Sequence, residues 1–302
     1  MNEKQKELIK KIKQLKKQRN AIILVHNYQK PEIYEVADFI GDSFGLAKKA
    51  MQTKADVIVF CGVDFMAESA KILNPDKTVL IPDPTANCPM AAMVTAEKLR
   101  EAKKKYPEAG VVCYVNTTAE VKAECDMCVT SSNAVRIVQN MPQKQILFVP
   151  DKNLAEFVAK NVKGKKIIPW NGFCYVHHKI NESAVREARV NMPNAKIVAH
   201  PECQSSIVKW ADYTCSTTGM IDFAKNTNAN KIVVATEQGM IERLKKEVPN
   251  KEFYSIGGVC VNMKKNNLEK VYKSLQTLEP KVELDEEIRL KARNALQNMM
   301  DA

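Results

Sequence analysis

Three thiols, Cys88, Cys174 and Cys260, are spaced at two equal intervals of 86 residues. Each closes a similar phrase: KTVLIPDPTANC, KKIIPWNGFC and KEFYSIGGVC. In every phrase a short apolar, strand-like run breaks at Pro or Gly and then delivers the thiol. Equal spacing in matching context reads as one unit used three times, and a unit repeated about an axis can bring three thiols to one point. Three thiolates without a fourth describe a metal site with an open coordination position. All-thiolate ligation favours an iron–sulfur cluster over zinc, which usually takes a fourth Cys or His at short spacing. The open iron would act as a Lewis acid on a hydroxyl or carbonyl oxygen. Common ancestry alone also keeps matching residues, yet the flanking PTAN, WNGF and IGGV have diverged while the thiols have stayed.

A second threefold set lies earlier in each unit. AIILVHNY, GVVCYVN and AKIVAHPE are strand-like runs that end in polar groups. His26, Tyr114 and His200 hold matching places, and Tyr28, Asn116 and Glu202 follow two residues on, pointing to the same side of an extended chain. Ser43, Ser131 and Thr217 align next, at what read as helix N-caps. Glu202 is the only acid among these nine positions, which makes it a natural general base; the competing reading is a fixed salt bridge to a nearby His or Lys. His177 and His178 follow Cys174 directly and read equally as surface, supporting or ligand groups.

The elements that must position these groups repeat as well. Each unit reads as βαβαβ: a first strand, a helix, a second strand (ADVIVFCG, KQILFVPD, NKIVVATEQG), a second helix, and the strand that ends at the cysteine. Strands joined through helices are parallel, with helices on both faces. The expected fold is α/β: three tandem pseudo-threefold, three-layer αβα units around a central active site. The expected boundaries are 1–105 with an N-terminal helix, 106–191, and 192–302 with C-terminal helices that dock on the body. Ligands of open parallel sheets bind beyond the carboxyl ends of the strands, where all the polar positions above fall. Helix N-termini there would offer N–H groups to carboxylates or phosphate.

Composition sets limits. Basic residues number 46 against 35 acidic, a net charge of +11, which fits anionic partners or a Lys-rich solvated surface. Nucleic-acid binding gains no support, since aromatics are only 6% and no finger spacing or RNP-like motif occurs. No apolar run approaches the roughly 18 residues of a membrane span, and the opening residues carry no signal-peptide core. Nine cysteines without such a signal point to a reducing, cytoplasmic setting. Cys61 and Cys113 read as core, Cys203 and Cys215 as packing, and Cys125/Cys128 as a lone, weak CxxC.

At these residues the chain resembles the quinolinate synthase family. The motifs that carry the resemblance are VHNYQ with GDS, CPMA, YVNTTAEVKA with TSSNA, WNGFCYVHH, HPEC with STTGM, and GVCVNMKKNNLEKV. STTG stands where STSG is frequent, and QSSIVKWADYTC departs from the commoner pattern. The resemblance implies condensation of iminoaspartate with dihydroxyacetone phosphate to quinolinate, releasing phosphate and water, in de novo NAD biosynthesis. It implies a [4Fe–4S] cluster on Cys88, Cys174 and Cys260, with one iron not ligated by protein. By position, His26, Ser43, Tyr114, Asn116, Ser131, His200, Glu202 and Thr217 would bind or process substrate, with Tyr28 near the entrance. Of these, Glu202, Tyr114, His26 and His200 would be catalytic. The enzyme supplying iminoaspartate is a candidate partner. Two other readings are another open-site [4Fe–4S] hydro-lyase acting on a dicarboxylate and a non-catalytic cluster carrier. The carrier would need no ring of polar strand-end groups.

Overall fold

A computed structural model describes all residues, Met1–Ala302, and contains three four-stranded sheets. The first holds β1 (Ala21–His26), β2 (Phe39–Gly41), β3 (Val57–Cys61) and β4 (Thr78–Leu80). The second holds β5 (Gly110–Tyr114), β6 (Met127–Val129), β7 (Gln145–Val149) and β8 (Lys166–Pro169). The third holds β9 (Lys196–Ala199), β10 (Tyr213–Thr214), β11 (Lys231–Ala235) and β12 (Glu252–Ser255). The orders are β2-β1-β3-β4, β6-β5-β7-β8 and β10-β9-β11-β12, one topology used three times. The strands pair in parallel, as Ile22↔Ile58, Val111↔Leu147 and Val233↔Ile197 illustrate. Central strands buried on both faces read as unbroken apolar runs, and β3 (VIVFC) is buried throughout.

The α/β class and the threefold repetition therefore hold, with one correction. Each unit has four strands, because a one-turn helix and a short edge strand (β2, β6 or β10) come between the first strand and the first long helix. Such strands of two or three residues show no alternation, and they pair on one side only. In the first and third sheets an aspartate pins this corner. Asp38 and Asp212 each donate a backbone N–H to the neighbouring strand and accept that same residue's N–H on the carboxylate, at Ile23 and Ile197.

The chain forms two compact units. One comprises Met1–Ala92, Val115–Cys128 and Val261–Ala302. In its core the helix Glu3–Gln18 places Ile9 and Ile12, and the helix Leu268–Thr277 places Val271 and Leu275, against Ile23, Val25, Val59 and Cys61. The helix Glu286–Asp301 buries Ala292, Ala295, Leu296 and Met299, and Asn298 donates to the Asp126 carbonyl. The other unit comprises Met93–Tyr114 and Val129–Cys260. One core layer there joins Val185 and Ala188 of the helix Glu182–Asn191 to Ile197, Ala199, Val233 and Ala235. No helix is long and apolar enough to cross a membrane.

Candidate functional site

In a sheet of order 2-1-3-4 the chain reverses direction between its first and third strands, and the crevice for ligands opens beyond their carboxyl ends. His26, Tyr114 and His200 occupy these first-strand ends, all of them buried. Immediately after the third strands come Asp64, Asp151 and Glu237, at the start of the second long helix of each unit. The threefold placement thus reaches beyond the residues singled out from sequence.

In the unit that contains the third sheet, Glu202 is only 3% exposed. Its Oε2 lies 2.7 Å from His177 Nδ1 and 3.3 Å from His200 Nδ1. The two imidazoles stack, with ring centroids 4.6 Å apart. His177 Nε2 meets the Thr236 hydroxyl at 2.8 Å, and His200 Nε2 meets the Ser131 hydroxyl at 3.2 Å. Burial opposes the Glu202 charge, but the two histidines outweigh it and hold the carboxyl well below the usual carboxylate range. Its Oε1 is buried with no hydrogen-bond partner. Burial first, and then the Glu202 charge, push neighbouring Asp151 well above the usual range. The two adjacent carboxyls are thus pushed in opposite directions, Glu202 down and Asp151 up.

The structure sets Glu202 against two histidines, the kind of contact that the salt-bridge reading of Glu202 expected. It also separates the adjacent histidines. His177 is buried against Glu202, whereas His178 contacts Asn153 Nδ2 at 3.2 Å and packs on Phe173. Burial and the Lys152 charge lower the His178 pKa. Both sit on the single turn Tyr175–His178, where successive side chains diverge, so tertiary contact alone tells them apart. Sequence reasoning left His177 undecided beside His178 and missed Thr236 and the three acids. For the acids a signal existed, because Asp64, Asp151 and Glu237 stand 87 and 86 residues apart.

The remaining predicted positions fall as follows. His26 Nδ1 accepts the Tyr28 N–H at 3.1 Å, which leaves the ring proton of the neutral imidazole on Nε2. The Tyr28 ring meets His26 edge-on, and its carbonyl accepts Lys264 Nζ. Asn116 is half-buried, and its Oδ1 has no hydrogen-bond partner. Ser43 and Thr217 are first-turn residues rather than caps. Asp42 caps Ser43–Gln52 through the Gly45 N–H, and Ser216 caps Thr217–Asn226 through the Gly219 N–H. Ser131 precedes Asn133, the N-cap residue of Ala134–Asn140.

None of the nine cysteines is joined in a disulfide. Burial drives Cys61 and Cys203 far above the ordinary thiol range and pushes Cys215 up to about 12, as expected for packing residues. Cys88, Cys174 and Cys260 are instead half-exposed, each on the loop after the last strand of its sheet. Two of these loops hug their own sheet. A Cβ on Gly257 would stand 1.5 Å from the Thr236 carbonyl oxygen, and one on Gly172 would stand 2.5 Å from that of Pro150. Cys125 donates its thiol to the Val121 carbonyl, and Cys128 is buried in β6.

Three accessible thiols at equivalent places are a suitable donor set for an iron–sulfur cluster. A different set also gathers: Cys174 Sγ, one His177 nitrogen and one Glu202 oxygen lie within 4.8 Å of one another. Two zinc ligands at bonds of about 2.0 Å in tetrahedral geometry stand roughly 3.3 Å apart. The 2.7 Å His177–Glu202 separation is shorter than that, so coordination by both would require the pair to open.

Comparison with known proteins gives one result. The family model described as "NadA: Quinolinate synthetase A protein" matches residues 10–301. The quinolinate synthase of Alkaliphilus metalliredigens (strain QYMF) is 49% identical over 97% of this chain and 98% of its own length. That of Geobacter sp. (strain M21) is 50% identical over 96% and 95%. That of Methanosarcina barkeri (strain Fusaro / DSM 804) is 48% identical over 98% of both chains.

Proposed function

The chain belongs to the quinolinate synthase family, and on that premise we propose that it condenses iminoaspartate with dihydroxyacetone phosphate to form quinolinate. Phosphate and water leave, and the product feeds de novo NAD biosynthesis in the cytoplasm. Cys88, Cys174 and Cys260, the ends of three equivalent loops, would hold a [4Fe–4S] cluster with one iron open. The open iron would supply Lewis acidity for the dehydration. The repeats at 1–105, 106–191 and 192–302 would each contribute one thiol and one set of strand-end groups.

The observation that carries this reading is the Glu202–His177–His200–Ser131 chain beside Cys174. A charge is kept in a nearly dry place by two groups that move protons, an arrangement that packing alone would not require. Ionised Glu202 would accept the Nδ1 proton of His177, while His200 Nδ1 accepts the Glu202 backbone N–H at 3.4 Å and leaves Nε2 to exchange a proton with Ser131 or a substrate. His26 would donate from Nε2, because its Nδ1 accepts the Tyr28 N–H. Buried Tyr114, at the matching strand end, would take part in the same proton traffic. Ser43 and Thr217, in the first turns of ten-residue helices, would bind carboxylate or phosphate with hydroxyl and N–H together. Asn116 Oδ1 would accept from a substrate donor, with Tyr28 near the entrance.

Anaerobic purification, an iron and sulfide count, and a quinolinate assay with both substrates test this function. About four irons and four sulfides per chain with quinolinate formed is the expected result. A single zinc without sulfide would favour the Cys174/His177/Glu202 set and overturn the proposal. A full cluster with turnover only on another dicarboxylate would make the chain a hydro-lyase.

A further inference from the structure

The loops that carry the three thiols share one fastening. The Cys88 N–H donates to Asp64 Oδ1 at 3.1 Å, the Cys174 N–H to Asp151 Oδ2 at 3.0 Å, and the Cys260 N–H to Glu237 Oε1 at 3.1 Å. The same carboxylates grip the starts of the helices they head. Asp64 Oδ1 accepts the Phe65 N–H at 2.8 Å, Asp151 Oδ1 the Leu154 N–H at 2.7 Å, and Glu237 Oε2 the Gly239 N–H at 2.7 Å. One acid per repeat therefore ties a rigid helix to the backbone of a thiol-bearing residue. Glu237 reaches its cysteine with a side chain one methylene longer than the aspartates, so the bond has been kept while the residue has changed.

We propose that Asp64, Asp151 and Glu237 are positioning residues that fix the three thiols for cluster binding. The inference rests on the cluster reading above and adds residues to it. An ordinary helix cap would need only the helix N–H; the second bond, to the cysteine itself, is the part a cap does not explain. Fixing a thiol on a regular element rather than on a free loop lowers the entropy that cluster binding must overcome.

The oxygens used differ, and this makes the proposal testable. Asp64 accepts both N–H groups on Oδ1, so Asn can replace it, since its single carbonyl oxygen can take both bonds. Asp151 and Glu237 use one oxygen for each bond, so Asn or Gln must give one of them up. If charge were what mattered, for example the attraction between Asp64 and buried Lys122, the amides would fail at all three sites.

The experiment uses the full, anaerobically reconstituted chain as Asp64→Asn, Asp64→Ala, Asp151→Asn and Glu237→Gln. The readouts are amide hydrogen exchange of the three cysteine loops and the rate of iron release to 2,2′-bipyridyl. Exchange in the affected loop and iron release should both rise about tenfold in Asp64→Ala, Asp151→Asn and Glu237→Gln, the scale of one lost hydrogen bond. Asp64→Asn should stay within about twofold of the parent. Unaltered exchange in all four variants, or Asp64→Asn behaving like Asp64→Ala, would overturn the proposal. Should fully buried Asp151 fail to tolerate Asn, the Asp64 pair and Glu237→Gln still decide. Loop exchange reports on positioning whatever metal is bound, so the expected exchange pattern in a chain without iron would sink the cluster reading and leave the fastening intact.

Discussion

Glu202 keeps its charge in surroundings that should remove it. At 3% exposure, burial alone would favour the protonated acid, and only His177 and His200 reverse that balance. Glu202→Gln keeps the size but cannot take a proton. Turnover should fall by roughly 10²-fold or more, the scale of a lost acid–base group, while the iron and sulfide content stays at the parent value. Quinolinate formation under anaerobic conditions gives the first readout and metal analysis the second. Unchanged turnover would reduce the ion pair to scaffolding and move the proton traffic to Tyr114 and His26. The thiols make a sharper contrast. Cys88→Ser, Cys174→Ser and Cys260→Ser should each lose the brown chromophore, because a hydroxyl is a poor iron ligand, whereas Cys61→Ser and Cys125→Ser should keep it. Bleaching by Cys125→Ser alone would refute the assignment. At this scale the sequence is legible where chemistry repeats at fixed spacing, as with the cysteines and strand-end groups. His177 escapes because nothing local distinguishes it from His178, and its role exists only through Glu202 and Thr236, 25 and 59 residues away in sequence.

The elements were legible in proportion to their length. Ten- to sixteen-residue helices with apolar stripes, and central strands buried on both faces, carry strong periodic signals. The edge strands β2, β6 and β10 carry none, and what defines the best-pinned of them is an aspartate bonded across the sheet. Asp212 shows how much such a residue can do. Its carboxylate accepts the Ile197 N–H at 2.8 Å, Lys196 at 3.0 Å and Arg189, while its own N–H donates to the Ile197 carbonyl. Burial opposes the charge, but the Ile197 N–H, Lys196 and Arg189 together hold it below the ordinary carboxylate range. A lowered folded-state pKa means stability that is present above the unfolded-state value of about 3.9 and fades as pH falls through the folded-state one. Asp212 is exposed and water screens its partners, so Asp212→Asn should cost about 1 kcal/mol or less in urea unfolding at pH 7 and less still near pH 3. An equal deficit at both pH values would mean that shape, not charge, holds the corner. The glycine of the third cysteine loop gives a second check. Gly257→Ala cannot be accommodated 1.5 Å from the Thr236 oxygen without moving the loop, so cluster loading should fall while the other two loops keep their hydrogen exchange.

For the whole molecule the question is what the charge of +11 is for. Two anionic substrates could profit from a long-range positive field, or the excess could be solvated surface. The helix Glu3–Gln18 is a concentrated source, and its Lys10 and Lys13 are exposed, while Ile9 and Ile12 face the core. At physiological ionic strength the Debye length is about 8 Å, so charges on an exposed helix act mainly on their immediate neighbours. The surface reading therefore makes a definite prediction. Lys10→Glu with Lys13→Glu takes the net charge from +11 to +7, and the second change puts an acid four residues before Lys17, a favourable helical pair. Thermal stability should hold or rise slightly, and KM for dihydroxyacetone phosphate in 0.15 M salt should stay within about twofold. A tenfold rise in KM with kcat unchanged would show that substrate capture depends on the field of the whole molecule. Discrimination would then rest on charge far from the site as well as on the hydroxyls, N–H groups and imidazoles at the strand ends.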